Sequence, residues 1–201
     1  MEQSIKLIKF RKALEQFIEF DDVEWEIFQN HLAFKSLNKK EYFIKEGEIC
    51  NCWGFIVEGA LRYYHLKDGV EITNYFSFEN ELASAYKSFL TKTPAQGYIQ
   101  ALEKTDLILI LSENLQKMAE NPVLSFKMER LGRKIAEFYI CCYEDRVSSF
   151  VTKTPQERYL DVEKTAGKVL QRIPQRYVAN FLGITPVSLS RIRKRILTVK
   201  S

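Results

Sequence analysis

The sequence predicts an α+β protein, with helices at its N-terminus, a small β-barrel or sandwich in the middle and helices again at its C-terminus. Residues 4–34 place apolar side chains at helical spacing. From about Leu37 to Leu111 the pattern changes to short apolar runs separated by glycines, as in sheets built from short strands. Asp68-Gly69 lies between two of these runs and predicts a tight hairpin, because both turn positions need positive φ and this dipeptide is favoured there. After residue 111 helical spacing returns.

Two helices are expected in residues 4–34. Asp21-Asp22-x-Glu24 predicts a cap before Trp25, Phe28 and Leu32 of the second helix. Ser112 is expected to cap a later, short helix that ends at Glu120. The strands are expected at residues 42–44, 53–57, 60–66, 70–76, 98–102 and 107–111.

The composition is that of an ordinary packed protein. The chain has 201 residues, of which 46% are hydrophobic and 28% charged, with 8 Gly and 5 Pro. These values exclude collagen-like, wholly coiled-coil and wholly disordered classes. The longest apolar run, residues 107–111, is far shorter than the ~20 residues of a membrane helix. The N-terminus lacks the apolar core of a signal peptide, so we expect a cytoplasmic protein without a membrane partner.

The charge is distributed unevenly along the chain. Residues 152–201 carry eleven basic and three acidic side chains, a net charge of +8. The first 151 residues carry 19 basic and 23 acidic side chains, a net charge of −4. Such asymmetry indicates a polyanionic partner for the C-terminal part.

A long helix is predicted over residues 122–150, with Asn121 as its cap and Pro122 as its first residue. Its apolar side chains alternate at spacings of four and three, which is the seam of a coiled coil. This seam favours a partner helix and hence a homodimer; packing against the chain's own domain is the alternative. The residues of the predicted dimer interface are Leu124, Met128, Leu131, Ile135, Phe138 and Cys142.

Residues 174–193 predict a helix-turn-helix. Gly183 supplies the left-handed conformation that ends the first helix, and Thr185 with Pro186 starts the second. Thr154-Pro155-Gln156-Glu157 is a capping box that begins a separate helical unit near the charge switch. The side chains expected to form the buried side are Val178, Ala179, Leu182, Leu189, Ile192 and Ile196.

The outward face of the second helix is the predicted DNA-binding surface. Arg191 is suited to bidentate contact with guanine, and Val187 to contact with a thymine methyl group. Lys194 and Arg193 are suited to phosphates. The predicted DNA-binding residues are Thr185, Val187, Ser188, Ser190, Arg191, Arg193, Lys194 and Arg195.

The order of these elements resembles the Crp/Fnr family of bacterial transcription regulators over nearly the whole chain. The runs Phe43-Ile44-Lys45-Glu46-Gly47-Glu48 and Phe55-Ile56-Val57-Glu58-Gly59 are similar to that family's cyclic-nucleotide-binding barrel. Leu182-Gly183-Ile184-Thr185-Pro186 is a turn of the family's type, and Arg191 matches its guanine-reading arginine.

The resemblance implies a jelly-roll sensor domain at residues 1–121, a dimerisation helix at 122–150 and a helix-turn-helix domain at 151–201. It also implies double-stranded DNA with an inverted-repeat operator, a second copy of the chain and RNA polymerase as partners.

The sequence departs from the family at the nucleotide site. Asn80-Glu81-Leu82-Ala83 keeps the family's ribose-binding Glu but has Asn80 in place of Gly, with an insertion around residues 87–94. The family's phosphate-binding Arg-Ser pair falls at Ala95-Gln96, so cyclic AMP is not expected. The candidate effector residues are Glu81, Leu82 and Lys87, with Lys92 as an alternative cation. The effector is unknown, and no cofactor is required.

The DNA-binding part departs as well. Two further family residues of the recognition helix, an Arg and a Glu, are Pro186 and Val187 here, so the operator sequence cannot be transferred. Only residues 198–201 are expected to follow the recognition helix, which implies a reduced or absent wing.

Other functional classes have weaker support. No catalytic motif surrounds His31 or His65, so an enzyme is not expected. The cysteines, Cys50-x-Cys52 and Cys141-Cys142, match no zinc motif and predict free thiols, although a thiol or metal sensor in the same architecture stays open. A ligand-binding or scaffold module that does not act on DNA is the remaining alternative.

Overall fold

The computed structural model describes residues 2–200 and confirms the mixed architecture. Over this range the chain forms eight helices and eight strands. In chain order they are α1 (Glu2–Leu14), α2 (Asp22–Gln29), β1 (Leu32–Leu37), β2 (Tyr42–Ile44), β3 (Cys52–Glu58), β4 (Leu61–Lys67), β5 (Val70–Ser77), β6 (Leu82–Ala83), α3 (Tyr86–Thr91), β7 (Tyr98–Ala101), β8 (Thr105–Leu111), α4 (Ser112–Glu120), α5 (Ser125–Thr152), α6 (Pro155–Arg172), α7 (Gln175–Phe181) and α8 (Pro186–Lys200).

The strands form two four-stranded sheets, ordered β1-β8-β3-β6 and β2-β7-β4-β5. Strand β8 lies between β1 and β3 and pairs antiparallel with both, from Leu32 opposite Ile110 and from Cys52 opposite Leu111. The apolar centres of β3 and β8 are buried, with Ile56 and Ile108 at 0% exposure. This sandwich is the small β-structure that the sequence predicts.

Gly69 and Gly54 are required for different reasons, one for its backbone conformation and the other for close packing. Asp68 and Gly69 have φ of +52° and +77°, so the predicted hairpin between β4 and β5 is confirmed. Gly54 is not in a turn. It lies inside β3, where an added Cβ would stand 2.9 Å from the Phe43 ring, so this glycine permits close packing.

The N-terminal helices pack around an aromatic cluster. The predicted cap of α2 is confirmed, since Asp21 and Glu24 exchange side-chain and backbone hydrogen bonds. Phe10 contacts Trp25 and Phe28 with ring centroids 6.2 and 6.1 Å apart. Leu32, expected in α2, instead opens β1, because its partner strand β8 supplies backbone hydrogen bonds that the sequence pattern does not reveal.

Two helices start at other residues than expected, α4 one residue earlier and α5 three residues later. Ser112 is the first residue of α4 and Leu111 occupies the cap position, while Ser112 Oγ accepts a hydrogen bond from Lys92 Nζ at 2.9 Å. Helix α5 begins at Ser125. The Asn121 side chain instead accepts the Val123 N–H at 2.9 Å and holds a turn before the helix.

The chain divides into two compact units. The first contains the residues up to His65 and Tyr75–Phe138, and the second contains Leu66–Asn74 and the chain from Tyr139 onward. The domain boundaries expected at 121 and 150 stay predictions. The tip of the β4–β5 hairpin belongs to the helical unit, and α5 contributes its first half to one unit and its second half to the other.

Four of the six residues of the predicted dimer seam are buried within the single chain. Leu124, Met128, Leu131 and Ile135 are 0–7% exposed, which agrees with the alternative of packing against the chain's own domain. An apolar stripe shows that a helix face is covered, but not by which element, and here the chain's own first unit covers it. Phe138 is 47% exposed and contacts the Phe17 ring, and Cys142 is half-buried.

Candidate nucleic-acid interface

Helices α7 and α8 are joined by a tight turn at Gly183. Gly183 has φ of +71°, and its N–H donates to Asn180 O at 2.9 Å. The Ile184 N–H donates to Ala179 O, also at 2.9 Å. This pair of hydrogen bonds is a Schellman motif, which satisfies carbonyls at a helix end and requires a left-handed residue at the Gly183 position.

Thr185 and Pro186 start α8 as predicted. The Thr185 hydroxyl accepts the Ser188 N–H at 3.1 Å and lies 3.0 Å from the Ser188 hydroxyl. Pro186 occupies the first helical position, where its missing N–H costs no hydrogen bond. The hydroxyls of Thr185 and Ser188 therefore take part in the helix cap.

The two faces of the helix pair differ as the sequence predicts. Leu189, Ile192 and Ile196 of α8 are 1–8% exposed and pack in the same small core as α7. Val187 is 61% exposed. The other predicted DNA-binding residues that are exposed are Thr185, Ser190, Arg191, Lys194 and Arg195; Ser188 and Arg193 are half-buried.

Two arginines outside the helix pair hold its turn. Arg158 of α6 is 8% exposed and donates to Leu182 O through Nε at 3.2 Å and Nη2 at 2.9 Å. Arg146 of α5 donates to Phe181 O at 2.5 Å and lies 3.6 Å from the centroid of the Phe181 ring. Neither role is predictable from the sequence, because no local pattern indicates which distant carbonyl a guanidinium will contact.

These contacts change the count of cations available to a partner. Arg158 lies inside the unit, and Lys153 pairs with Asp161 at 2.7 Å, which raises the pKa of Lys153. The side chains of Lys168 and Lys200, which were included in the net charge of +8, lie outside the described residues. Helix α8 exposes Arg191, Lys194 and Arg195, and α6 and α7 of the same unit also expose Lys164, Arg172 and Arg176.

The hairpin tip contacts the first helix of the pair. The backbone N–H of Thr73 donates to the Asn180 side-chain oxygen, and Thr73 is 3% exposed. The pKa of Arg176 on α7 is raised mainly by its hydrogen bond to Tyr177, and the nearby Glu71 carboxylate raises it further. The hairpin tip, Leu66–Asn74, thus makes a polar contact with α7 inside the helical unit.

Helix α8 is longer than expected. It continues to Lys200, so the residues expected to follow the recognition helix from position 198 belong to it, and Ser201 lies outside the described residues.

The predicted effector residues lie around β6 and α3 of the first unit. Asn80 has φ of +69°, a conformation that Asn tolerates, so it can replace the glycine expected there. Glu81 is largely exposed, yet desolvation of its carboxyl group raises its pKa above the usual range. Leu82 is half-buried and pairs with Phe55, whereas Lys87 is exposed on α3.

The expected position of a phosphate-binding pair contains no cation. Ala95 is 5% exposed, and its backbone N–H donates to Glu48 O at 2.8 Å. Gln96 O accepts a hydrogen bond from His65 Nδ1 at 2.7 Å. Lys92 is the alternative cation. Its Nζ donates a hydrogen bond to Ser112 Oγ and lies 4.5 Å from the centroid of the Phe89 ring.

A separate open groove of about 710 Å³ lies elsewhere in the first unit. Glu81, Leu82 and Lys87 do not line it. Its apolar walls come from Trp53, Phe89, Leu115, Ala119 and Phe126.

Among the described residues, no group of three or more His, Cys, Asp or Glu side chains is placed to hold a metal ion. None of the described helices combines the length and the apolar character that crossing a bilayer requires.

Comparison with known proteins defines the class of the barrel. Residues 34–121 match the family model of the cyclic nucleotide-binding domain. Among proteins with curated descriptions, none matches this sequence.

Solved structures match most of the chain. The c-di-GMP-responsive global regulator CLP from Xanthomonas campestris has a TM-score of 0.68 at 13% identity, covering 90% of this chain and 93% of that one. FixK2 from Bradyrhizobium japonicum has a TM-score of 0.64 at 21% identity, covering 84% and 86%. The catabolite activator protein of Thermus thermophilus has a TM-score of 0.56 at 14% identity, covering 94% and 88%. The chain therefore has a fold similar to that of Crp/Fnr-type regulators.

The role of Arg158 can be tested by Arg158→Met. We expect the free energy of unfolding to fall by about 1–3 kcal/mol, because the buried Leu182 carbonyl loses its charged donor. Lys164→Met, an exposed cation on the same helix, serves as the control. Urea unfolding followed by circular dichroism measures both, and equal stability of the two variants would contradict the assignment.

Proposed function

We propose that this protein is a homodimeric transcription regulator that binds specific DNA sequences through α8. The observation that carries the proposal is the structure of the α7–α8 pair. Its turn, cap and buried face support a helix-turn-helix, and the opposite face of α8 presents Arg191, Ser190 and Lys194 to solvent. A helix of this kind enters the major groove with its first turns against the bases.

The contacts within the unit support a division of roles on α8. Arg191 and Ser190 are exposed on the outward face near its start, where base edges would be read. Lys194 lies one turn further on and suits a phosphate. Arg195 donates to Gln156 at 3.2 Å, and Thr185 and Ser188 form the cap, so these three act mainly by positioning the helix.

The second half of α5 supports the dimer. Ile140, Tyr143, Val147 and Val151 are 65%, 71%, 54% and 79% exposed. They recur at intervals of three and four residues, so they form one apolar row along this half of the helix. A row of this kind in water is unfavourable, and a second copy of α5 would cover it. We therefore propose an interface shifted from the predicted seam to this row.

The barrel is proposed to hold an effector other than cyclic AMP. A cyclic phosphate needs a charged partner when it is buried, and the positions expected to supply one are Ala95 and Gln96. An effector would act on DNA binding only by having different affinities for two arrangements of the chain. Contact with RNA polymerase belongs to the same proposal, since a regulator of this class acts on transcription.

The decisive experiment is selection of bound duplexes from a random pool by the full chain without added effector. We expect an enriched inverted repeat with half-sites one helical turn apart, ~34 Å, as two symmetric recognition helices require. Binding without enrichment of any sequence, in selections with and without cell extract, would contradict the proposal and favour a basic module that does not act on specific DNA.

Substitutions on α8 test the division of roles. Arg191→Ala is expected to weaken binding to selected sites by about 1–3 kcal/mol and to relax preference at one base pair, because a bidentate base contact is lost. Lys194→Ala is expected to weaken binding to all duplexes alike. It should also lower the slope of log affinity against log salt concentration by about one, because one phosphate contact fewer releases its counterion. Titrations by fluorescence anisotropy at several salt concentrations measure both effects. Identical losses on selected and random duplexes for both variants would contradict these roles.

The dimer interface is tested by Ile140→Asp. A charge placed in an apolar contact between helices should shift the protein to monomer, because the carboxylate would have to lose its water. Ile8→Asp, at a residue 68% exposed on α1, is the matched control and should leave the mass unchanged. Sedimentation equilibrium gives the mass of each. A monomeric wild-type protein, or a dimer that Ile140→Asp and Tyr143→Asp both leave intact, would exclude this interface.

A further inference from the structure

Strand β5 is the outer strand of its sheet, and one of its backbone groups bonds outside the sheet. In the order β2-β7-β4-β5 it comes last. The Thr73 N–H donates to the side-chain oxygen of Asn180 on α7, and Thr73 is 3% exposed. A buried N–H on the edge of a sheet needs an acceptor, because it has lost its water. The Asn180 side chain supplies that acceptor.

Asn180 also belongs to the turn that ends α7. Its backbone oxygen accepts the Gly183 N–H at 2.9 Å, which is one bond of the Schellman motif. The carbonyls of the next two residues accept hydrogen bonds from Arg146 of α5 and Arg158 of α6. Residues 180–182 are therefore held by three elements: the hairpin tip, α5 and α6.

The hairpin tip is continuous with the barrel. Strand β4 passes into the tip after His65, and β5 returns to the first unit at Tyr75. Helix α5 is likewise shared between the two units, and Arg146 lies in its second half. Two lengths of chain thus lead from the barrel to the same turn, one that carries Arg146 and one that carries Thr73.

A second polar pair continues the contact between β5 and α7. Glu71 is two residues before Thr73 on β5, and Arg176 is four residues before Asn180 on α7. Two residues of a strand advance by ~6.6 Å and four residues of a helix by ~6 Å, so the spacings of the two pairs agree. The Glu71 carboxylate is accordingly near Arg176. The contact is therefore wider than one hydrogen bond.

We propose that Asn180 is a positioning residue for DNA recognition, because its bond to the edge of β5 lets the barrel's own sheet fix the turn that orients α8. This inference rests on the proposed function and deepens it. Without the bond, the turn keeps Arg146 and Arg158, so the helix pair stays folded, but residues 180–182 lose one of their three restraints. Base contacts need a more exact geometry than phosphate contacts, so discrimination between sequences falls more than affinity for DNA in general.

The test replaces Asn180 with leucine, which has a similar volume and no acceptor. Fluorescence anisotropy with the full chain compares a duplex that carries the selected inverted repeat with a random-sequence duplex. We expect Asn180→Leu to raise the Kd for the selected duplex severalfold and to leave the Kd for the random duplex nearly unchanged. Asn180→Asp keeps an oxygen for the Thr73 N–H, so the ratio of its two Kd values should stay near that of the wild-type protein.

Asn114→Leu is the matched control. Asn114 is half-buried like Asn180, and its Nδ2 donates to His31 O at 3.0 Å within the first unit. This variant also loses one side-chain hydrogen bond, and it should change neither Kd. If Asn180→Leu weakens binding to both duplexes equally, Asn180 only supports the fold and the proposal is overturned. An unchanged ratio of the two Kd values defeats this inference alone, whereas a wild-type protein that selects no sequence defeats the proposed function.

Hydrogen exchange tests the same link without DNA. The Thr73 amide should exchange severalfold faster in Asn180→Leu than in the wild-type protein. The amides of Gly183 and Ile184 should also exchange faster, because their acceptors lie in the turn that Asn180 restrains. In Asn114→Leu all three amides should exchange at the wild-type rate. Wild-type exchange of Gly183 and Ile184 in Asn180→Leu would show that the hairpin tip does not hold the turn.

Discussion

The orientation of α8 depends on one turn and on the charge that holds it. Gly183 adopts a conformation that a side chain would disfavour, and the carbonyl before it receives two hydrogen bonds from the buried Arg158. Arg158 also donates to Lys153 O at 2.7 Å, so the same guanidinium joins the start of α6 to the end of α7. A charged donor in a nearly dry environment fixes this geometry more firmly than an exposed ion pair would. The exposed face of α8 is therefore presented at a defined angle to the rest of its unit.

Helix α5 combines two environments on one element. Its first half has buried apolar residues on the side that faces its own unit, and its second half leaves Ile140 and Tyr143 largely in solvent. A sequence of apolar residues at helical spacing predicts a covered face in both halves. The physical difference is the presence of a neighbouring element, which the chain provides for the first half and, in our proposal, a second copy provides for the other.

The barrel keeps the backbone of a cyclic nucleotide-binding domain but not its expected charge. Asn80 adopts the left-handed conformation that a glycine would adopt, so the local path of the chain survives the substitution. At Ala95 and Gln96 the structure has a buried methyl group and backbone hydrogen bonds. The fold of the domain is therefore retained without the charge expected at its phosphate position.

The sequence by itself determined the features that depend on neighbours along the chain. The hairpin at Asp68-Gly69, the capping box of Thr154 and Glu157, and the Gly183 turn followed by Thr185-Pro186 each close hydrogen bonds between residues a few positions apart, so local patterns suffice to predict them. Only the tertiary structure decided which face of α5 is buried and that Arg158 lies inside its unit. It also decided that Cys50 is tied to Ser84 and Ser88. These outcomes depend on contacts between residues 24 to more than 30 positions apart, for which the sequence pattern carries no distance information.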